Sequence, residues 1–460
     1  MDSSHTISYP QAVAELYRLG QELAGQPRKF DLAHMRVLLE SLGSPERRFR
    51  SVLIAGTNGK GSTAATLASI VKAAGHRTGL YTSPHILRVN ERIRVDGHAI
   101  SDDEFAALYE RVEAAAQSLV AAKALPWHPS FFEMLTAMGF TCFADAGVQL
   151  AVLEVGMGGR LDATNVVEPM LSVITDISLD HQKYLGDTIA AIAREKAGII
   201  RPQGTVVLLP QHPEANRVLG ETVLERGARA VSAAAYVPPF SPESPASLDA
   251  GFRNCYRLDA FGREITVDSP LAGRHQRRNL ALAIAAAEQL STMGLNISPL
   301  DIETGIRQTH WPGRLEVRHC ASATVPGATR PEIVLDVAHN PAGAWALRAA
   351  LSQRYGQGDE RPLIFVFGAM RDKALAEMAE ILFPLARHVI AVRAETPRAA
   401  SAEEIRAAAP RIFSNIELGA GVQPGLRRAC ELAGENGVVV VTGSIYIVGE
   451  ALQALGAGDF

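Results

Sequence analysis

The amino-acid sequence predicts an α/β protein of two domains, each built on a mostly parallel sheet. At 460 residues the chain exceeds what one hydrophobic core usually fills. Apolar runs of strand length alternate with longer helical patterns, the pattern of a parallel sheet covered on both faces. The alternation breaks at Trp311, Pro312 and Gly313 and then begins again, so the domains are expected at 1–311 and 312–460.

The first strand is expected at 51–55 (SVLIA), an apolar run that stops at Gly56. An Ala- and Thr-rich helix follows to Ala74, with Gly75 as its C-terminal stop. Further strands are expected at 78–81, 150–154, 172–175 and 205–209. Between about 233 and 270, Pro, Ser and Gly crowd around short β-like pieces, which reads as an irregular or antiparallel insertion. Helical periodicity returns over 275–293 and 299–309. Beyond the break, strands at 332–336, 363–368, 388–392 and 438–442 build a smaller α/β domain. The sequence carries neither a solenoid-length repeat nor heptads.

A formal net charge of -4 argues against a dedicated nucleic-acid binder, which would show a basic surplus. It leaves room for a local basic pocket that takes an acidic small molecule. Cys142, Cys255, Cys320 and Cys430 lie far apart with no CxxC pair, as in a cytosolic protein with reduced thiols. The N-terminal MDSSHTISYPQ has neither the basic segment nor the apolar core of a signal peptide. No apolar stretch approaches the ~18 residues of a membrane span. The expectation is a soluble, cytoplasmic protein without nucleic-acid or membrane partners.

The strongest local signal is Gly56-Thr57-Asn58-Gly59-Lys60-Gly61-Ser62-Thr63, between a strand and a helix. Glycines let backbone N–H groups converge on phosphate oxygens, and the helix N-terminus adds partial positive charge. Lys60 would reach the terminal phosphates. The match to GxxxxGK[ST] is imperfect, because Ile54 takes the first glycine position and Gly61 the hydroxyl position. An ordinary capped Gly-rich turn would look similar, but a lysine placed directly after an apolar strand favours a nucleotide. No NKxD guanine signature follows, so ATP is preferred.

Ile189, Ile192, Ala193, Lys196 and Ile200 fall at helical spacing, which puts a lysine on an apolar stripe. A buried ammonium is costly unless paired, deprotonated or modified. Snorkelling, or pairing with a nearby acid, explains it equally well.

GTNGKGST, YTSPH (81–85), EVGMGGRLDATN (154–165) and LDH (179–181) resemble the folylpolyglutamate synthase/dihydrofolate synthase family of the Mur-ligase superfamily. REKAGI (194–199), HQxxN (275–279), WPGR (311–314) and DVAHNP (336–341) extend the resemblance in order from about Lys29 to Gly449. It implies a P-loop, Mur-ligase-like ATPase domain followed by a Rossmann-like C-terminal glutamate ligase domain. It also implies a cytoplasmic monomer that adds L-glutamate to tetrahydrofolates, to dihydropteroate, or to both. In that chemistry ATP phosphorylates a carboxylate, and the amine of glutamate attacks the acyl phosphate. Both steps gather negative charge that cations stabilise.

By the same resemblance, Ser83 and Glu154 bind one Mg2+ and His181 helps bind a second. Lys196 is carbamylated by CO2 beside that second ion. Lys60, Lys196, His181 and His339 form the catalytic set. ATP is held by 57–62 (Thr57, Asn58, Gly59, Lys60, Gly61, Ser62) with Asn279, Arg314 and Asp336. His339 and Ser444 serve the incoming glutamate. The pterin subsite takes Lys29, Phe30, Asp31 and Leu32, then Ser130, Phe131, Phe132 and Glu133, then Leu161, Asp162 and Ala163. Each position has a plainer explanation: a turn at Ser83, a solvated strand end at Glu154, a structural histidine at 181. For Asn279 it is a helix cap, for Arg314 an interdomain salt bridge, for Ser444 a Gly-Ser turn, and for the two phenylalanines core packing. Asp176 stands where the family often has Asn, and Val337 where it often has Gly.

Other readings remain beside this one. A Mur-type ligase of cell-wall synthesis would carry a UDP-sugar domain before the phosphate loop, and only about 50 residues precede Gly56. A non-catalytic ATP-binding regulator would have lost Glu154, His181 or Lys196. A small-molecule kinase would stop at the acyl phosphate.

Overall fold

The computed structural model describes residues 7–20, 32–239, 253–319, 331–356, 361–409 and 414–456. These fall into two compact units, one drawn from 1–239, 257–267 and 278–309 and the other from 240–256, 268–277 and 310–460. Lys29, Phe30, Asp31 and Cys320 lie outside the described residues.

The first unit opens with helices α1 (Tyr9–Arg18) and α2 (Leu32–Ser41) and the strand β1 (Arg50–Ala55). Then come α3 (Lys60–Ala73), β2 (Thr78–Tyr81), β3 (Ile93–Val95) and β4 (His98–Ala99). Two helices with Ser-x-x-Glu capping boxes follow, α4 (Asp102–Ala121) and α5 (Phe131–Asp145). The sheet resumes with β5 (Leu150–Glu154) and β6 (Leu171–Ile174), then α6 (Gln182–Leu185) and α7 (Ile189–Ala197). β7 (Thr205–Leu208), α8 (Pro213–Glu225) and β8 (Arg229–Ser232) complete it.

These strands form one sheet in the order β4-β3-β2-β5-β1-β6-β7-β8. From β2 to β8 all pairings are parallel, while β3 and β4 add an antiparallel edge. The central strands are buried along almost their whole length, which explains their unbroken apolar runs. The edge strands carry no such run. β8 is mostly exposed, and β3–β4 is marked only by the Asp96-Gly97 turn, with φ 49° and 82°.

Within the 233–270 stretch the structure shows a hairpin, β9 (Asn254–Ala260) and β10 (Arg263–Ser269), in a two-stranded sheet. Residues 240–252 lie outside the described residues. α9 (Arg274–Thr292) and α10 (Pro299–Gln308) follow, and Ser69 on α3 donates to the Gly305 carbonyl of α10 at 2.7 Å.

The second unit contains β11 (Glu316–His319), β12 (Glu332–Leu335), α11 (Pro341–Arg354), β13 (Leu363–Phe367), α12 (Leu375–Leu382) and β14 (His388–Ala391). It continues with α13 (Ala402–Ala408), β15 (Ile416–Leu418), α14 (Val422–Ala433), β16 (Val438–Thr442) and α15 (Ile445–Gly456). Its sheet runs β11-β12-β16-β13-β14-β15 and is parallel except for β11. Side chains alternate between two cores. Val334, Phe365 and Val440 face one, while Ile333, Ile364 and Val439 face the other.

Candidate active site

In the first unit, register sets Ile54 beside Glu154 and Ala55 beside Ile174. The C-terminal ends of β1, β5 and β6 therefore lie side by side, where open α/β sheets bind ligands. The loops that follow carry most of the residues singled out from sequence.

Two glycines shape the phosphate loop. Gly56 has φ 155°, and a Cβ there would meet Thr175 Oγ1 at 1.8 Å. Gly59 has φ 86°, and a Cβ would meet Asn279 Oδ1 at 2.1 Å. The loop is tied to the segment after β6: the N–H groups of Thr57 and Asn58 donate to the Asp176 carbonyl at 2.8 and 3.2 Å. Asn58 Nδ2 also donates to Ser178 Oγ at 2.9 Å. Lys60 Nζ donates to the Thr57 carbonyl at 3.3 Å, and Gly61 and Ser62 are buried in the first turn of α3. Asn279 lies in the second turn of α9 beside Gly59, so it does not cap that helix.

Glu154 is the last residue of β5 and is 5% exposed. Its Oε2 accepts from the Ser83 N–H at 3.2 Å, which brings these two together. The turn bearing Ser83 is held by Arg92, a buried arginine whose carbonyl accepts from the Thr82 N–H at 3.0 Å and whose Nε donates to His85 Nδ1 at 2.9 Å. Residue-level reading missed Arg92 because its local context is an exposed-looking charged run.

Asp162 is buried and organises the glycine-rich loop after β5. It accepts from the Met157 N–H (3.0 Å), the Thr164 N–H (3.0 Å) and Thr164 Oγ1 (2.6 Å). Burial still pushes its carboxyl above the usual range, against those hydrogen bonds. The loop packs on α7: the Arg160 N–H donates to the Glu195 carbonyl at 2.8 Å.

Lys196, on the buried face of α7, is 4% exposed, and its Nζ donates to the Gly56 carbonyl at 2.7 Å. It neither snorkels nor forms an ion pair at contact distance among the described residues. Burial, followed by the charge of Lys60, pushes its amine down to about 7, with Asp180 and Asp162 acting the other way. His181 has the left-handed backbone of φ 51° and ψ 34° at the start of α6, and its N–H donates to Asp180 Oδ1 at 2.8 Å. Its Nε2 stands 4.0 Å from Asp180 Oδ2.

The departure at Asp176 has a structural partner. Arg278 Nε and Nη2 donate to the Asp176 carboxylate at 2.9 and 2.6 Å. The backbone of Asp176 carries the phosphate loop, so this pair ties α9 to it. The pair is about one-third exposed, and Asp176→Asn should cost only about 1 kcal/mol of stability. The expected signature is a several-fold rise in the KM for ATP with kcat nearly kept; an unchanged KM would exclude this role.

Among the residues expected at the pterin, Ser130 and Glu133 form the capping box of α5. Glu133 Oε2 accepts from the Ser130 N–H at 2.8 Å, and Oε1 pairs with His34 Nδ1 at 3.1 Å. Burial opposes ionisation of Glu133, but His34 and Ser130 hold it below the usual range. Phe131 is a core residue at 3% exposure, whereas Phe132 is half-buried with its ring against Gly156. Ala163 is buried, and Leu161 and Leu32 are half-buried. Trp127, 40% exposed, lies over His34 with ring centroids 5.6 Å apart; sequence reading passed it over.

The second unit gathers its own polar cluster. Asp336, just after β12, accepts from the N–H groups of Leu315 (3.0 Å) and Ala338 (2.9 Å). Burial raises its carboxyl, and His275 and Arg314 counter the shift. His339 Nδ1 lies 3.0 Å from the Val337 carbonyl, and Val337 donates its own N–H to the Gly313 carbonyl at 3.0 Å. Ser444 is buried, and its Oγ accepts from the Tyr446 N–H at 3.2 Å, capping α15.

Among the described residues no group of three or more His, Cys, Asp or Glu side chains could hold a metal ion alone. Magnesium needs less, because it accepts one or two protein oxygens and keeps several waters. The adjoining Glu154 carboxylate and Ser83 hydroxyl are hard oxygen donors of that kind.

Residues 134–287 match the Mur ligase middle domain, and residues 313–445 match the Mur ligase, glutamate ligase domain. The chain is 34% identical over 426 residues to the dihydrofolate synthase/folylpolyglutamate synthase of Bacillus subtilis (strain 168), covering 92% of this chain and 94% of that protein. It is also 34% identical to the folylpolyglutamate synthase of Lacticaseibacillus casei, with 100% of both chains covered. Among solved structures, Mycobacterium tuberculosis folylpolyglutamate synthase complexed with ADP is similar with a TM-score of 0.80. That similarity is at 32% identity and covers 97% of this chain and 99% of that one.

Proposed function

The chain belongs to the folylpolyglutamate synthase/dihydrofolate synthase family of the Mur ligase superfamily, and we propose that it joins L-glutamate to a folate-type carboxylate through an acyl phosphate. A carboxylate oxygen attacks the γ-phosphorus of ATP and ADP leaves. The glutamate amine then attacks the acyl carbon, an amide forms, and phosphate departs with the amine's proton released. The observation that carries this reading is Lys196 Nζ on the Gly56 carbonyl at 2.7 Å, a buried amine at the base of a phosphate loop.

Residues 1–311 are assigned to the ATP and pterin domain and 312–460 to the glutamate ligase domain. Lys60 and the amides of 59–62 bind the ATP phosphates, Thr57 and Asn58 shape the loop through their bonds to Asp176, and Asn279 binds the adenine. Arg314 and Asp336 are also proposed as nucleotide ligands, and His339 as a ligand of the phosphate or glutamate. The engagement of its hydroxyl with Tyr446 leaves Ser444 the weaker glutamate ligand. Ser83 and Glu154 would hold one Mg2+ and His181 would help hold a second, and such ions would supply positive charge at the phosphoryl group.

The burial of Lys196 supports the carbamylation that the family resemblance implies. Only a neutral amine combines with CO2, giving a carbamate and one proton, and burial favours the neutral form. The product would place an anion where the charge of Lys60 disfavours an ammonium. With His181, the carbamate would be a candidate ligand of the second ion. For the pterin, Phe132, Leu161 and Asp162 are the proposed contacts that keep an accessible or polar surface. Leu32, Ala163 and the capping pair Ser130 and Glu133 shape the subsite, with Phe131 as backing.

No helix among the described residues is long and apolar enough to cross a membrane. A cytoplasmic monomer is proposed on the resemblance to the family.

The test is product mass with dihydropteroate or tetrahydrofolate, each with and without glutamate, alongside ADP release. A gain of one glutamyl unit on at least one pterin is expected. Steady ADP release without glutamate would instead indicate a kinase, and no mass gain on either pterin would overturn the reading.

A further inference from the structure

The first unit carries a cleft of about 500 Å³ away from the loops described above. Arg50, which lines it, begins β1 and pairs in register with Leu150, the first residue of β5. The phosphate loop and Glu154 lie at the other ends of the same strands. At about 3.3 Å per residue, the strands separate the two places by roughly 15 Å.

The lining is strongly basic. Arg47, Arg48, Arg50 and His76 contribute to it, and no carboxylate does. In a chain of net charge -4, this is a local reversal of sign. The arginines are poorly neutralised. Arg47 is 3.4 Å from Glu46, and Arg48 is 3.9 Å from Asp145, which already binds Arg111 at 2.7 Å. The Arg50 side chain has no ion-pair or hydrogen-bond partner among the described residues.

A second observation is independent of charge. Ring nitrogen Nε2 of His76 is buried without a hydrogen-bond partner among the described residues. Such a group is costly and is usually met by a ligand or water. The cleft also has an apolar floor of Phe49, Val148 and Leu295; Phe49 packs its ring on Phe140 and Phe143, each 5.8 Å away. The wall is fixed by Gln149. Its N–H donates to the Arg77 carbonyl at 2.8 Å, and its Oε1 accepts from the Arg77 N–H at 2.8 Å.

We propose that this cleft binds a small organic polyanion, distinct from the substrates of the reaction centre. Arg47, Arg48 and Arg50 take its phosphate or carboxylate groups, since the guanidinium fork matches both. The apolar floor takes its body, and the volume suits a small molecule.

Calorimetric titration of the full chain with inorganic tripolyphosphate and with tri-γ-glutamate tests the proposal. The wild type is compared with Arg48→Glu/Arg50→Glu and with Lys60→Ala. A ligand of the cleft should bind the double variant at least about tenfold more weakly and bind Lys60→Ala normally. A ligand of the phosphate loop should show the reverse. Tripolyphosphate alone meeting the first pattern identifies a phosphate ligand, tri-γ-glutamate alone a carboxylate ligand, and both support the site. Turnover of the double variant should match the wild type, which shows that it folds. Binding of neither probe, or equal binding by the wild type and the double variant, overturns the proposal.

Discussion

Lys196→Ala is expected to lower kcat by about 10³-fold, because it removes the negative charge of the proposed carbamate beside the phosphate loop. The fold should survive. The lysine is one buried polar group whose Nζ is bonded to a backbone carbonyl, and its burial disfavours the charged form. Short carboxylic acids such as acetate should partly restore turnover by replacing the carbamate's negative end. Wild-type activity in the alanine variant, or no rescue at any concentration, would rule out the carbamate.

The same lysine gives a pH dependence with a defined sign. Its amine lies at about 7 in the folded chain against 10.5 when unperturbed. Between those values the unfolded chain binds more protons, so stability rises with pH. The cost of burying the uncarbamylated amine is therefore fully present below about pH 7 and is relieved as pH rises towards 10.5. Denaturant unfolding in CO2-free buffer should show Lys196→Met gaining its largest advantage over the wild type below pH 7. An advantage independent of pH would contradict this.

Glu154→Gln should lower kcat/KM by about 10²-fold and raise the magnesium concentration needed for half-maximal rate. The substitution keeps the side chain's size and can keep the bond from the Ser83 N–H, now 3.2 Å. Loss would then report the missing charge and not a rearranged loop. A rate with unchanged magnesium dependence would remove Glu154 from the proposed metal site.

Much of the fold was legible because its strands are buried on both faces. The run SVLIA at 51–55 and the five residues 150–154 read as strands without any partner in view. The edge strands β3, β4, β8, β11 and β15 were not, since one-sided or short strands leave no apolar run. The Asp96-Gly97 turn was the one local clue to the first pair. Ser130 and Glu133 show the opposite difficulty. Their spacing is that of a capping box, and the structure spends their hydrogen bonds on one, beside whatever they contribute to a pterin.

The sequence by itself determined the parallel α/β architecture, the phosphate loop and the family, because periodicity, glycine placement and motif order are local properties of the chain. Only the tertiary structure decided which groups meet. Lys196 reaches the Gly56 carbonyl across 140 positions, and Arg278 binds Asp176 across 102. Those meetings depend on strand register and helix packing, which no window of sequence contains.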